Sequence, residues 1–163
     1  MPFASGVTEM LSFARRTLMA LAMPLLWSVG APPAAAQETV ATYFAALGPQ
    51  DYYNSSGARL TSFAQVLQQD RANFHRFGRR DAYDQGDPIF ADLSARSMIP
   101  ALFEAGDNAW WASRPVTPPT WQILDADILV FICGSGGRIT HLIVNHANGD
   151  GYNTCEGPEF AGQ

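Results

Sequence analysis

Ile128-Leu129-Val130-Phe131-Ile132-Cys133-Gly134-Ser135-Gly136-Gly137 is the stretch on which the fold turns. Residues 128–133 are apolar at odd and even positions alike, as expected of a strand covered on both faces. The glycine-rich quartet then turns the chain into a second strand over 138–145, closing an antiparallel hairpin. After a Gly/Asn/Asp-rich loop, residues 152–155 add a short third strand, and the tail, 156–163, frays.

Upstream the period becomes helical. Ser62 and Gln65 form a capping-box pair and Gly78 stands in a left-handed cap position, so one helix runs between them. Stepping about 100° per residue, Phe63, Val66, Leu67, Phe74 and Phe77 fall in one stripe that must be buried. Asp70 lies in the middle of that stripe. A carboxylate there needs a partner, and Arg59 or Arg114 from another segment is expected to supply it, since Arg71 sits at the stripe's edge. Asp87-Pro88 opens the next helical region and Gly106 closes it, while Pro100 either splits it into helices at about 88–97 and 100–105 or kinks one helix sharply. Residues 38–47 read as a short helix, from Val40, Phe44 and Leu47 at near-helical spacing and a Gly48-Pro49 stop.

The Gly78 to Gly86 segment is a polar connector. Residues 107–119, with Trp110, Trp111, Pro115, Pro118 and Pro119, read as an ordered loop from which proline excludes a helix. The expectation is an α+β domain in which three or four N-terminal helices pack on a small C-terminal antiparallel sheet, with one disulfide.

Residues 1–36 stand apart as a cleaved signal peptide. Arg15 and Arg16 precede an apolar run over 18–29, and Ala34-Ala35-Ala36 offers a cleavage site before Gln37. The run is too short for the ~20 residues of a spanning helix and ends in Gly30, Pro32 and Pro33. The mature chain is then a single globular domain over 37–163, periplasmic or secreted, with no integral membrane span. An oxidising compartment closes Cys133 and Cys155, the chain's two cysteines, into a disulfide that stabilises by roughly 3 kcal/mol.

All ten fixed cations are arginines. With no lysine, Schiff-base chemistry and lysine-dependent phosphate loops are excluded. Cleavage removes Arg15, Arg16 and Glu9, leaving eight arginines against fourteen acids, a formal charge of −6. That balance argues against nucleic acid or an anionic membrane surface as partner.

Candidate chemistry is sparse. His141 and His146 lie on opposite faces of one predicted strand and cannot share a metal, while His75 sits on the polar side of its helix. The loop from His146 to Asn153 resembles a calcium loop only superficially, because Gly157 falls where the bidentate glutamate belongs. Cys133 stands where a nucleophile elbow around Ser135 needs glycine. No metal or cofactor is expected. Arg71, Arg76, Arg79 and Arg80 can grip a carboxylate or phosphate, but Asp81, Asp84, Asp87 and Asp92 follow directly and are expected to neutralise them. Trp110, Trp111 and Trp121, with Tyr52 and Tyr53, form either a sugar or peptide platform or, by expectation, core.

The leading function is a non-enzymatic binding or envelope-associated module. Its partner is a small molecule, glycan or envelope protein, held by the arginine group or by Trp110 and Trp111. The rival is a small acid-base hydrolase of an envelope polymer, with Asp70 or His141 carrying the proton. Asp70 against a histidine in an open cleft favours the enzyme; Asp70 sealed by arginine, with no histidine in a cleft, favours binding.

Overall fold

The hairpin forms where the sequence puts it. In the computed structural model, strands β2 (Ala126–Ser135) and β3 (Arg138–His146) pair antiparallel with Ser135 opposite Arg138. Gly136 and Gly137 between them have φ of 59° and 76°, positive at both central turn positions, a backbone that glycine adopts without the cost other residues incur. The structure describes residues 36–114, 116, 126–149 and 151–160. Residues 1–35, nearly all of the expected leader over 1–36, lie outside them, as do Pro115, Pro118, Pro119, Trp121 and Asp150.

The expected helix over 38–47 is instead a strand. β1 (Glu38–Leu47) pairs antiparallel with β2, Tyr43 opposite Val130 and Leu47 opposite Ala126, giving the sheet order β1-β2-β3. Tyr43, Ala45 and Leu47 are buried, a period of two, whereas Val40 is 42% exposed. Val40, Phe44 and Leu47 fit a helical spacing but not a strand's, which is carried instead by Tyr43, Ala45 and Leu47, and pairing with the apolar β2 decides between the two periods. The sheet therefore draws strands from both ends of the described chain, and the helices lie between β1 and β2 rather than ahead of the whole sheet.

Those helices follow local signals closely, with three departures. α1 (Phe63–Ala72) starts at the Ser62/Gln65 capping box, and Gly78 at φ 65° receives the helical run's end. The turn that continues it, Asn73–Phe77, is π-helical, so Phe77 rotates off the stripe and is 40% exposed while Phe63, Val66, Leu67 and Phe74 stay buried. α2 (Leu93–Ser97) begins later than Asp87-Pro88 because Asp92 is its N-cap, accepting from the Ser94 and Ala95 N–H groups. α3 (Ile99–Ala105) carries Pro100 in its first turn, where a proline costs no hydrogen bond. The third departure is α4 (Ala109–Ala112), a helical turn bearing Trp110 and Trp111, which ends before the prolines begin.

One face of the sheet, with Tyr43, Ile128, Val130, Ile132, Leu142 and Val144, packs on Phe63, Leu67, Phe90, Leu102, Phe103 and Trp111 to form the main core. The other carries a small cluster of Cys133, Ile143 and Cys155 bordered by Phe131. Beside it β4 (Gly151–Thr154) pairs antiparallel with β5 (Gly157–Phe160), so the tail is paired as far as residue 160 rather than frayed. The Cys133–Cys155 disulfide staples that hairpin to the central strand, with a Cα separation of 5.3 Å. Glu156 adds a tie to β1 by accepting from the Thr39 N–H and hydroxyl, which holds its carboxyl below the ordinary value.

Side chains close both sheet edges. Along β1, the Gln85 N–H donates to the Phe44 carbonyl, while Gln85 Oε1 and Asp84 Oδ1 accept from the Phe44 and Ala46 N–H groups. Along β3, Asn108 donates to the Leu142 carbonyl and accepts from the Val144 N–H, imitating a strand. A Cβ on Gly106 would fall 1.8 Å from the Leu142 oxygen, so glycine is what lets α3 end against β3. Among the described residues no helix is long and apolar enough to cross a membrane.

Candidate functional site

Asp70 finds its partner next door. Arg71, fully buried, donates from Nε to Asp70 Oδ2 at 2.7 Å and from Nη1 to the Gln85 carbonyl at 2.8 Å, with Asp87 Oδ2 at 3.4 Å. Neither Arg59 nor Arg114 takes the expected role; Arg59 reaches Tyr53 and the Val116 carbonyl. The connector folding back over α1 brings Gln85 and Asp87 to Arg71, a long-range event that the helix pattern does not encode. His75 Nε2 lies 2.8 Å from the same Asp87 oxygen. Arg71 also stacks 4.1 Å from the Tyr43 ring centroid, so it is a core residue and not part of a contact surface. Its Nη2 and the Tyr43 hydroxyl have no partner among the described residues.

Burial outweighs the arginine in this cluster and pushes the Asp70 carboxyl up to about 6. Asp51, bound by the Asn73 amide at 2.8 Å and the Gly48 N–H at 2.8 Å, is pushed up to about 7, by burial first and by the Asp70 charge second.

The expected neutralisation of Arg76, Arg79 and Arg80 does not occur. Among the described residues the ion pairs within 4.0 Å belong to Arg71 and His75 alone. The acids are committed elsewhere: Asp81 to Gln50, Asp84 to β1 and the Asp81 N–H, Asp87 to the buried cluster, and Asp92 to α2. Arg76, Arg79 and Arg80 are exposed and lie against Phe77, Phe77 and Phe74.

The tryptophans build a cleft of about 380 Å³ between α4, the end of β3 and the start of β4, lined by Asp107, Trp110, Trp111, Asn145, His146 and Asn153 among others. Trp111 is buried and anchored by its indole N–H on the Val144 carbonyl at 2.8 Å, so it forms wall rather than rim. Trp110 is 46% exposed, packs edge-on against Trp111 at 4.7 Å between centroids, and carries Arg114 over its ring at 4.1 Å. His146 touches both indoles, at 4.8 and 4.4 Å. Burial and then the Arg114 charge hold its imidazole below the ordinary histidine value, which disfavours the charged form. Asn145 exchanges two hydrogen bonds with the Asn153 backbone, fixing the far wall.

His141 stands on the opposite sheet face, across from Cys133, with Nδ1 2.9 Å from the Thr140 hydroxyl. Neither it nor Asp70 lines this cleft. Of the two separating geometries, each is met by half: Asp70 is sealed by arginine, yet a histidine, His146, does stand in a cleft. His146, Asn145 and Asn153 were not legible as site residues, because Asn145 and His146 meet Trp110 only through the docking of the α4 segment on β3, and Asn153 joins them only through the return of β4. Among the described residues no group of three or more His, Cys, Asp or Glu side chains is placed to hold a metal ion. Comparison with protein-family models, curated proteins and solved structures finds nothing that matches this chain.

Proposed function

We propose that this chain is an exported, non-enzymatic binding module whose contact surface is the Trp110 cleft and whose ligand is a neutral glycan of the envelope. The observation that carries the reading is the half-exposed Trp110 indole set beside the amides of Asn145 and Asn153 and the Asp107 carboxylate. An indole face packs against the C–H face of a sugar ring, and amides and carboxylates answer its hydroxyls. His146, whose charged form burial and Arg114 disfavour, adds a hydrogen-bonding edge. Export rests on the leader and agrees with the disulfide.

Titration of tryptophan fluorescence with a soluble envelope-glycan digest tests the site. Binding is expected, weakened at least about tenfold by Trp110→Ala; undiminished binding by that variant contradicts it. A second reading, hydrolysis of the same polymer, draws on His146 and Asp107 sharing the cleft. Release of reducing ends by the wild type but not by His146→Ala would favour it.

A further inference from the structure

We infer that a second cleft, walled by Tyr53 and Phe77, is a binding site for small organic anions that join a carboxylate to a planar ring, with Arg79 taking the carboxylate. The cleft has a volume of about 350 Å³, and Gln50, Gln69 and Asn73 line it with those three residues. Its aromatic walls are open to solvent, Tyr53 at 43% and Phe77 at 40% exposure. The exposure of Phe77 is itself a product of the π-helical turn, which swings the ring out of the core stripe and into the cleft wall.

Guanidinium groups surround those walls. Arg76 and Arg79 lie 5.1 and 5.9 Å from the Phe77 ring centroid, and Arg59 lies 5.4 Å from that of Tyr53. Among the described residues none of the three has a carboxylate within 4.0 Å, although four aspartates follow Arg80 closely in sequence. A local excess of unneutralised arginine in a chain of formal charge −5 draws an anion to this place rather than to the surface at large. Two acids approach from behind: Asp51, through the Asn73 amide, and Asp81, through the Gln50 amide. Both are turned to those amides.

The floor is built. Asn73 is 2% exposed and held on both sides of its amide, accepting from Gln69 at 2.9 Å and donating to Asp51 at 2.8 Å. A ring between Tyr53 and Phe77 would rest on that fixed amide and place its carboxylate at Arg79.

Calorimetric titration of the protein with N-acetyl-phenylalanine, and with the amide of the same compound, tests the inference. Saturable binding of the acid is expected, with affinity about tenfold or more lower for the amide and for Arg79→Gln. Arg138→Gln, at an exposed arginine outside the cleft, should leave it unchanged. No saturable binding of the acid, equal binding of the amide, an unaffected Arg79→Gln, or an equal loss in Arg138→Gln would each overturn the site. A thermal melt of each variant shows whether the fold is kept. The probe contains no sugar, so failure here leaves the Trp110 reading standing.

Discussion

Arg71 and Arg114 make the same contact in two parts of the molecule, each with its guanidinium 4.1 Å from an aromatic centroid, Tyr43 in one case and Trp110 in the other. Acids and amides stand near both. Arg71 is sealed, and with it Asp70 and Asp87, so each charge depends on the others to offset its lost hydration. Arg114 and Trp110 remain open to water, so their contact is weak and the surface beside it stays available. Identical parts thus hold the fold together in one place and offer a site in the other. Burial is what separates them.

The difference breaks most sharply at Arg71. Arg71→Met leaves Asp70 and Asp87 buried without their cation and should cost about 3–5 kcal/mol, read from urea unfolding. A loss under about 1 kcal/mol would mean that the cluster is not the structural unit described. A pH series sharpens the contrast next. Asp51 and Asp70 have folded pKa values of about 7 and about 6, above the unfolded value near 4. The native state then holds protons that the unfolded chain releases, so stability falls as pH rises from about 4 to 7. The urea midpoint should be higher at pH 5 than at pH 8, and an equal or reversed order contradicts this. The smallest effect is expected at the open pair. Arg114→Gln should change stability by no more than about 0.5 kcal/mol while the His146 titration, followed by NMR, moves upward as a repelling charge is lost. An unmoved His146 would show that Arg114 does not act on the cleft.

What was legible in the sequence was local. The Ser62/Gln65 box, the Gly78 cap, the turn at Gly136 and Gly137 and the Cys133–Cys155 pair all act within a few residues or follow from redox chemistry. β1 was misread because its period is fixed by a partner far along the chain, and 38–47 alone satisfies both periods. Arg71 was misplaced for a related reason: residues 84–87 cover that end of α1 only once the connector has folded back onto β1. In the cleft, Trp110 and Trp111 could be singled out as aromatics, but the end of β3 supplies His146 and β4 supplies Asn153, and nothing in their spacing points to indoles upstream. Phe77 left its stripe through a π-helical turn, for which the pattern of apolar residues carries no mark.

The most direct test of the binding account is an NMR titration of the protein with the soluble envelope-glycan digest, followed at backbone amides and indole N–H groups. The account predicts saturable shifts gathered at Trp110, Asn145, His146 and Asn153, with Asp70 and Arg71 unmoved. Shifts centred on His141, or none at all, would contradict it.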